Sequence, residues 1–162
     1  MTQWVLKATL VMLLTLCTSA GAMDRIGRLG AGVSNQLYGD TPAISFKLQK
    51  SRSFAFGGLI GMDTSKDGGM GAGLKIYRNF FDEPQLNFYG SVLGAYLNNK
   101  RTNLEDQTGF QFDFTLGSEF SFTGLQSLGF AFEFGVSLNK LDDFKVQTVG
   151  DSFLVMMAHF YL

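Results

Sequence analysis

The stretch GFQFDFTLGSEFSF, residues 109–122, alternates Phe or Leu with polar or small residues almost without a break. Phe110, Phe112, Phe114, Leu116, Phe120 and Phe122 share one face of an extended strand, because strand side chains alternate with period two. Gln111, Asp113, Thr115, Gly117, Glu119 and Ser121 share the other. A barrel dissolved in water would turn the phenylalanines inward, whereas a membrane barrel would turn them out. The direction of this one face therefore decides the compartment.

The same alternation recurs in eight segments separated by turn signals, at about 25–35, 42–50, 52–63, 69–80, 85–97, 108–121, 127–138 and 150–162. Segment 127–138 repeats the pattern most clearly, with Phe130, Phe132 and Phe134 opposite Ala131, Glu133 and Gly135. The last segment is the least polar on its second face, Val155, Met157, His159 and Tyr161. Links near Lys50, Pro84 and Gly124 are short, while 36–41, 64–68, 98–107 and 139–149 are longer and polar. Short turns alternating with long loops fit an up-and-down meander inserted from the periplasm. The expected fold is thus all-β, an eight-stranded antiparallel up-and-down transmembrane barrel.

The first residues read as a targeting segment. Lys7 precedes the apolar run Ala8–Leu16, and Ala20-Gly21-Ala22 is an A-x-A cleavage site. Residues 1–22 are expected to be a signal peptide and 23–162 the barrel. Leu16 is too large for the lipobox that a lipoprotein modified at Cys17 would need. Cys17 is the one cysteine, so the barrel itself carries no thiol chemistry. With 13 basic and 14 acidic residues and no basic cluster, the chain has no footprint for nucleic acid. Beyond residue 22 no apolar run reaches the length of a transmembrane helix.

A strand of 12 residues spans roughly 40 Å and, tilted by about 40°, rises about 30 Å, enough to cross an outer membrane. With the phenylalanines outward, the interior would hold Arg28, Lys47 and Lys75 against Asp113, Glu119 and Glu133. Paired charges are tolerated in a narrow interior where isolated ones are not. The opposite assignment gives a soluble lipocalin-like barrel. Its water-facing surface would be rich in Gly, Ala and Ser, and only 17% of the chain is charged. The outward assignment is favoured, with Phe110, Phe112, Phe114, Phe130, Phe132 and Phe134 facing lipid.

In strand number, alternation and turn asymmetry the chain resembles the small eight-stranded barrels of bacterial outer membranes, the group that includes the OmpA transmembrane domain and OmpX-like proteins. That resemblance implies an outer-membrane location, contact with its lipids, and export through the periplasm. It also implies a C-terminal signal for the barrel-assembly machinery, which Phe160 and Leu162 supply, with Leu in place of the usual terminal aromatic residue.

The candidate catalytic residues fit packing better than chemistry. His159 is the one histidine and is followed by Phe160-Tyr161, not by the His-x-Ser of lipid A deacylases. Glu119 and Glu133 fall at different heights with cations near them, which favours ion pairing over a paired-carboxylate site. Asp63, Asp67, Asp142 and Asp143 lack the spacing of a calcium loop. The reading is a non-enzymatic structural barrel with a charge-paired, largely plugged interior, needing neither metal nor cofactor. A small-solute or lipid-handling pore is the alternative, since the inward glycines (Gly57, Gly73 and Gly117 among them) leave space. Outward Ala31, Gly58, Ala72, Gly90 and Gly94 point to self-association as a homo-oligomer.

Overall fold

A computed structural model describes residues 25–38, 42–65, 68–83, 85–100, 107–141, 143–150 and 153–162. The expected signal peptide, Asp67 and Asp142 lie outside these. The strands are β1 (Leu29–Ser34), β2 (Ala43–Gln49), β3 (Phe54–Met62), β4 (Gly69–Glu83), β5 (Leu86–Asn99), β6 (Gln107–Phe120), β7 (Leu128–Lys140), β8 (Phe144–Thr148) and β9 (Val155–Tyr161). Every pairing is antiparallel, consecutive strands from β1 to β8 are neighbours, and β9 closes the ring between β7 and β1.

Nine segments make eight staves because β8 and β9 share one. β8 pairs with the upper part of β7, Val136↔Thr148 to Lys140↔Phe144, and β9 with the lower part, Leu128↔Phe160 to Glu133↔Val155. Gly150 and Phe153, at φ of 66° and 71°, bracket the interruption between them. This corrects the sequence reading of 139–149 as a polar link. β7 runs on to Lys140, the turn is short, and Phe144–Thr148 is barrel wall.

The stagger of the barrel follows from its register. The ladder from Gly32 through Ser45, Leu59, Gly73, Ala95 and Gln111 arrives at Asn139 of β7. Going the other way, Gly32 pairs with His159, which pairs with Gly129 of the same strand. The ten-residue offset between Asn139 and Gly129 is the shear of the closed sheet. With about 3.3 Å per residue and about 4.8 Å between strands, it tilts the strands by about 40°.

Alternation sorts the two faces. Phe46, Ile60, Leu74, Ile76, Val92, Phe112, Phe114 and Phe134 stand outward and exposed, while Lys47, Lys75, Tyr77, Tyr89, Asp113, Glu119 and Glu133 are buried inside. The interior has two apolar layers. Tyr77 and Tyr89 pack with Ala55, Ala131, Val149, Val155 and Met157 toward the end that carries the chain termini. Leu59, Leu93, Ala95 and Leu97 pack with Ala43 and Leu37 toward the other. Leu37 and Gln36 belong to a segment read from sequence as a longer polar link, yet both are buried. The chain after β1 turns in over the barrel mouth instead of away from it.

Candidate functional site: the interior polar network

Two charged centres occupy the interior, each built from strands far apart in sequence. In the first, Lys75 of β4 donates to Glu133 of β7 at 2.7 and 2.6 Å and to the side-chain oxygen of Gln36. Glu133 also accepts from the Tyr89 hydroxyl at 2.8 Å and the Thr115 hydroxyl at 2.7 Å. Gln36 passes the network on, its amide donating to Asp113 at 2.9 Å. Gln111 donates to both Asp113 oxygens, at 3.0 and 2.8 Å, and to the Gln36 carbonyl at 3.0 Å. The backbone N–H of Tyr38 closes the mouth by donating to Gln111 at 3.0 Å. Buried charge is tolerated here because each carboxylate meets a cation or several donors.

In the second centre, Glu119 of β6 is held by Lys47 of β2, by the Arg25 guanidinium at 3.0 Å and by the Tyr161 hydroxyl at 2.5 Å. Two tyrosines join the centres. The Lys47 ammonium lies 4.5 Å from the Tyr77 ring and 4.7 Å from the Tyr89 ring, and that of Lys75 lies 5.1 Å from Tyr77. Tyr77 and Tyr89 meet edge to face, with centroids 5.3 Å apart. Such contacts stabilise cations most where water is excluded.

Of the six residues expected in this network, five are inside: Lys47, Lys75, Asp113, Glu119 and Glu133. Arg28 is not. It is exposed, since β1 begins only at Leu29, and Gly27 at φ 79° turns the preceding chain. That turn, closed by the Arg28 N–H donating to the Arg25 carbonyl at 3.0 Å, carries Arg25 to Glu119 in its place. Gln36 was missed, although a signal existed: the inward parity of Gly30, Gly32 and Ser34 continues to residue 36.

At two of the inward glycines a neighbouring tyrosine ring stands where a side chain would be. At Gly57 a Cβ would lie 2.9 Å from the Tyr77 ring, and at Gly117 it would lie 3.0 Å from that of Tyr89. Glycine permits this close approach. His159 bonds the Ser45 hydroxyl at 2.8 Å, and both are buried; the other ring nitrogen has no partner among the described residues. Among the described residues no three metal-ligating side chains gather.

On the outer face the phenylalanines expected to meet lipid point away from the interior, with Phe130 partly covered by its stack on Phe120. Phe160 and Leu162 are likewise outward. Gly58, Ala72 and Gly94 floor a groove of about 570 Å³ walled by Phe46, Leu74, Tyr96 and Phe112.

No family model matches the chain, and no curated protein does. Among solved structures, the crystal structure of the N-terminal β-barrel domain of Pseudomonas aeruginosa OprF matches with a TM-score of 0.59 at 15% sequence identity. The match covers 83% of this chain and 96% of that one. The likeness is one of fold, and an eight-stranded antiparallel barrel is the fold that the two share.

Proposed function

We propose that this chain is a non-enzymatic structural barrel of a bacterial outer membrane, with an interior too well filled to carry solutes. The observation that carries the reading is the inversion of polarity across the wall. Leu74 is 77% exposed on the outside, while its sequence neighbour Lys75 is 1% exposed on the inside. Water would favour the reverse, whereas lipid favours this. The likeness to the OprF barrel and the outward Phe160 and Leu162 support assembly in the outer membrane, among its lipids, by the barrel-assembly machinery.

A solute pore is the competing reading, and the infolded Gln36 and Leu37 favour the closed one. Self-association is a second element of the proposal. Lipid leaves packing as the main force joining membrane surfaces, and the groove over Gly58, Ala72 and Gly94 allows close approach. A strictly monomeric barrel in mild detergent would remove that element.

Fractionation tests the location. The protein should sediment with outer membranes, resist salt extraction and need detergent for release. Recovery as a soluble periplasmic protein would overturn the proposal in favour of a lipocalin-like binder.

A further inference from the structure

The outward positions of β4 read Met70, Ala72, Leu74, Ile76, Arg78 and Phe80, so one guanidinium interrupts an apolar stripe. Arg78 is exposed and pairs across the ladder with Phe54 of β3 and Gly90 of β5. Its guanidinium carbon lies 4.5 Å from the centroid of the Phe54 ring. Phe54 is the first residue of β3, so the contact directs the charge toward the β2–β3 turn, at the end that carries the chain termini.

Further cations stand at that turn. Lys50 and Arg52 are exposed within it, and Arg28 is exposed beside it, its carbonyl accepting from the Gln49 N–H at 3.3 Å. Asn79, next to Arg78, ties the turn to β4. Its backbone N–H donates to the Ser53 carbonyl at 2.9 Å and its side-chain amide to the Arg52 carbonyl at 2.7 Å. The carboxylates of this end are placed elsewhere. Glu119 is buried inside, and Asp82 and Glu83 are at the tip of the β4–β5 hairpin. Among the described residues none of the three forms an ion pair with Arg78.

We propose that this corner of the outer wall binds one anionic glycerophospholipid, its phosphate against Arg78 within the positive field of Arg28, Lys50 and Arg52. The inference rests on the membrane reading above, with the chain termini on the periplasmic side, where glycerophospholipids form the leaflet. Three features favour this occupant. A guanidinium rising from an apolar stripe needs an anion, and the protein gives this one only an aromatic face. Its planar fork matches a phosphate with two parallel hydrogen bonds. The surplus of positive charge selects phosphatidylglycerol over phosphatidylethanolamine, whose ammonium would meet like charge. Phe56 and Ile76, paired on the outer face further from the turn, then meet the acyl chain.

The test uses the folded barrel in dodecyl maltoside with equal amounts of phosphatidylglycerol, phosphatidylethanolamine and lipopolysaccharide added. Native mass spectrometry counts each lipid retained, and the gel shift verifies folding. One phosphatidylglycerol per barrel is expected, favoured over phosphatidylethanolamine by about fivefold or more. Arg78→Gln should weaken its retention by about tenfold. Arg52→Gln, in an exposed turn, should weaken it by about fivefold and keeps the test open should Arg78→Gln fail to fold. Lys140→Gln, at the opposite end of the wall, should leave retention unchanged. Equal retention of the two phospholipids, equal retention by wild type and both arginine variants, or preference for lipopolysaccharide would overturn the proposal. Failure of the membrane reading would show separately, as a barrel that stays folded and dispersed without detergent.

Discussion

Lys75 of β4 donates to both carboxylate oxygens of Glu133 on β7, and neither side chain reaches solvent. Removing one partner leaves the other charged, buried and unpaired. Glu133→Gln or Lys75→Met alone should destabilise the barrel by about 3–5 kcal/mol, and the double substitution by clearly less than the sum. Urea unfolding followed by the gel shift between folded and unfolded forms measures this. Additive losses would mean that the pair is not coupled.

The two central tyrosines should behave differently. The Tyr89 hydroxyl donates to Glu133, while that of Tyr77 has no partner among the described residues. Tyr89→Phe should cost about 1.5–3 kcal/mol, as expected for a hydrogen bond to a charged group. Tyr77→Phe should be neutral or slightly stabilising, because it removes a buried polar group that bonds to nothing. The same unfolding assay distinguishes them.

Packing predicts a contrast between two glycines. A methyl at Gly117 would sit 2.7 Å from the Glu133 side chain and 2.8 Å from the Phe132 carbonyl oxygen, whereas at Gly58 nothing lies nearer than 3.5 Å. Gly117→Ala should cost about 1–3 kcal/mol through overpacking, with Gly58→Ala close to neutral. Equal effects would contradict a tightly filled interior.

The infolded segment after β1 should contribute to stability as a core does. Leu37 packs among Leu59, Leu93 and Leu97, so Leu37→Ala should cost about 2–4 kcal/mol. Gln36→Ala leaves Lys75 and Asp113 each short of a partner and should cost about 1–3 kcal/mol. A surface loop would show neither loss, and thermal unfolding of the two variants decides between them.

Much of this architecture is legible in the sequence because period-two alternation is strong wherever one face is apolar. Phe110 to Phe122 and Phe130 to Phe134 reveal their strands unaided. Phe144–Thr148 is hidden because it stands in a polar setting, after Asp142-Asp143 and before Gly150-Asp151. Arg25 and Arg28 exchange roles through a single left-handed glycine, which alternation does not encode. The interior residues can be named from parity, but their partners cannot. The ladder from Lys75 runs through Leu93 and Asp113 to Ser137, yet its ionic partner is Glu133, four residues away. That displacement is what strand tilt produces across three strands, and the tilt is fixed only when the barrel closes.

An interior filled by its own side chains, as proposed, passes no ions. Potassium release from liposomes containing the folded protein, with folding verified by the gel shift, tests it most directly. Efflux is expected at the rate of empty liposomes. Efflux that rises in proportion to the amount of folded barrel would contradict it.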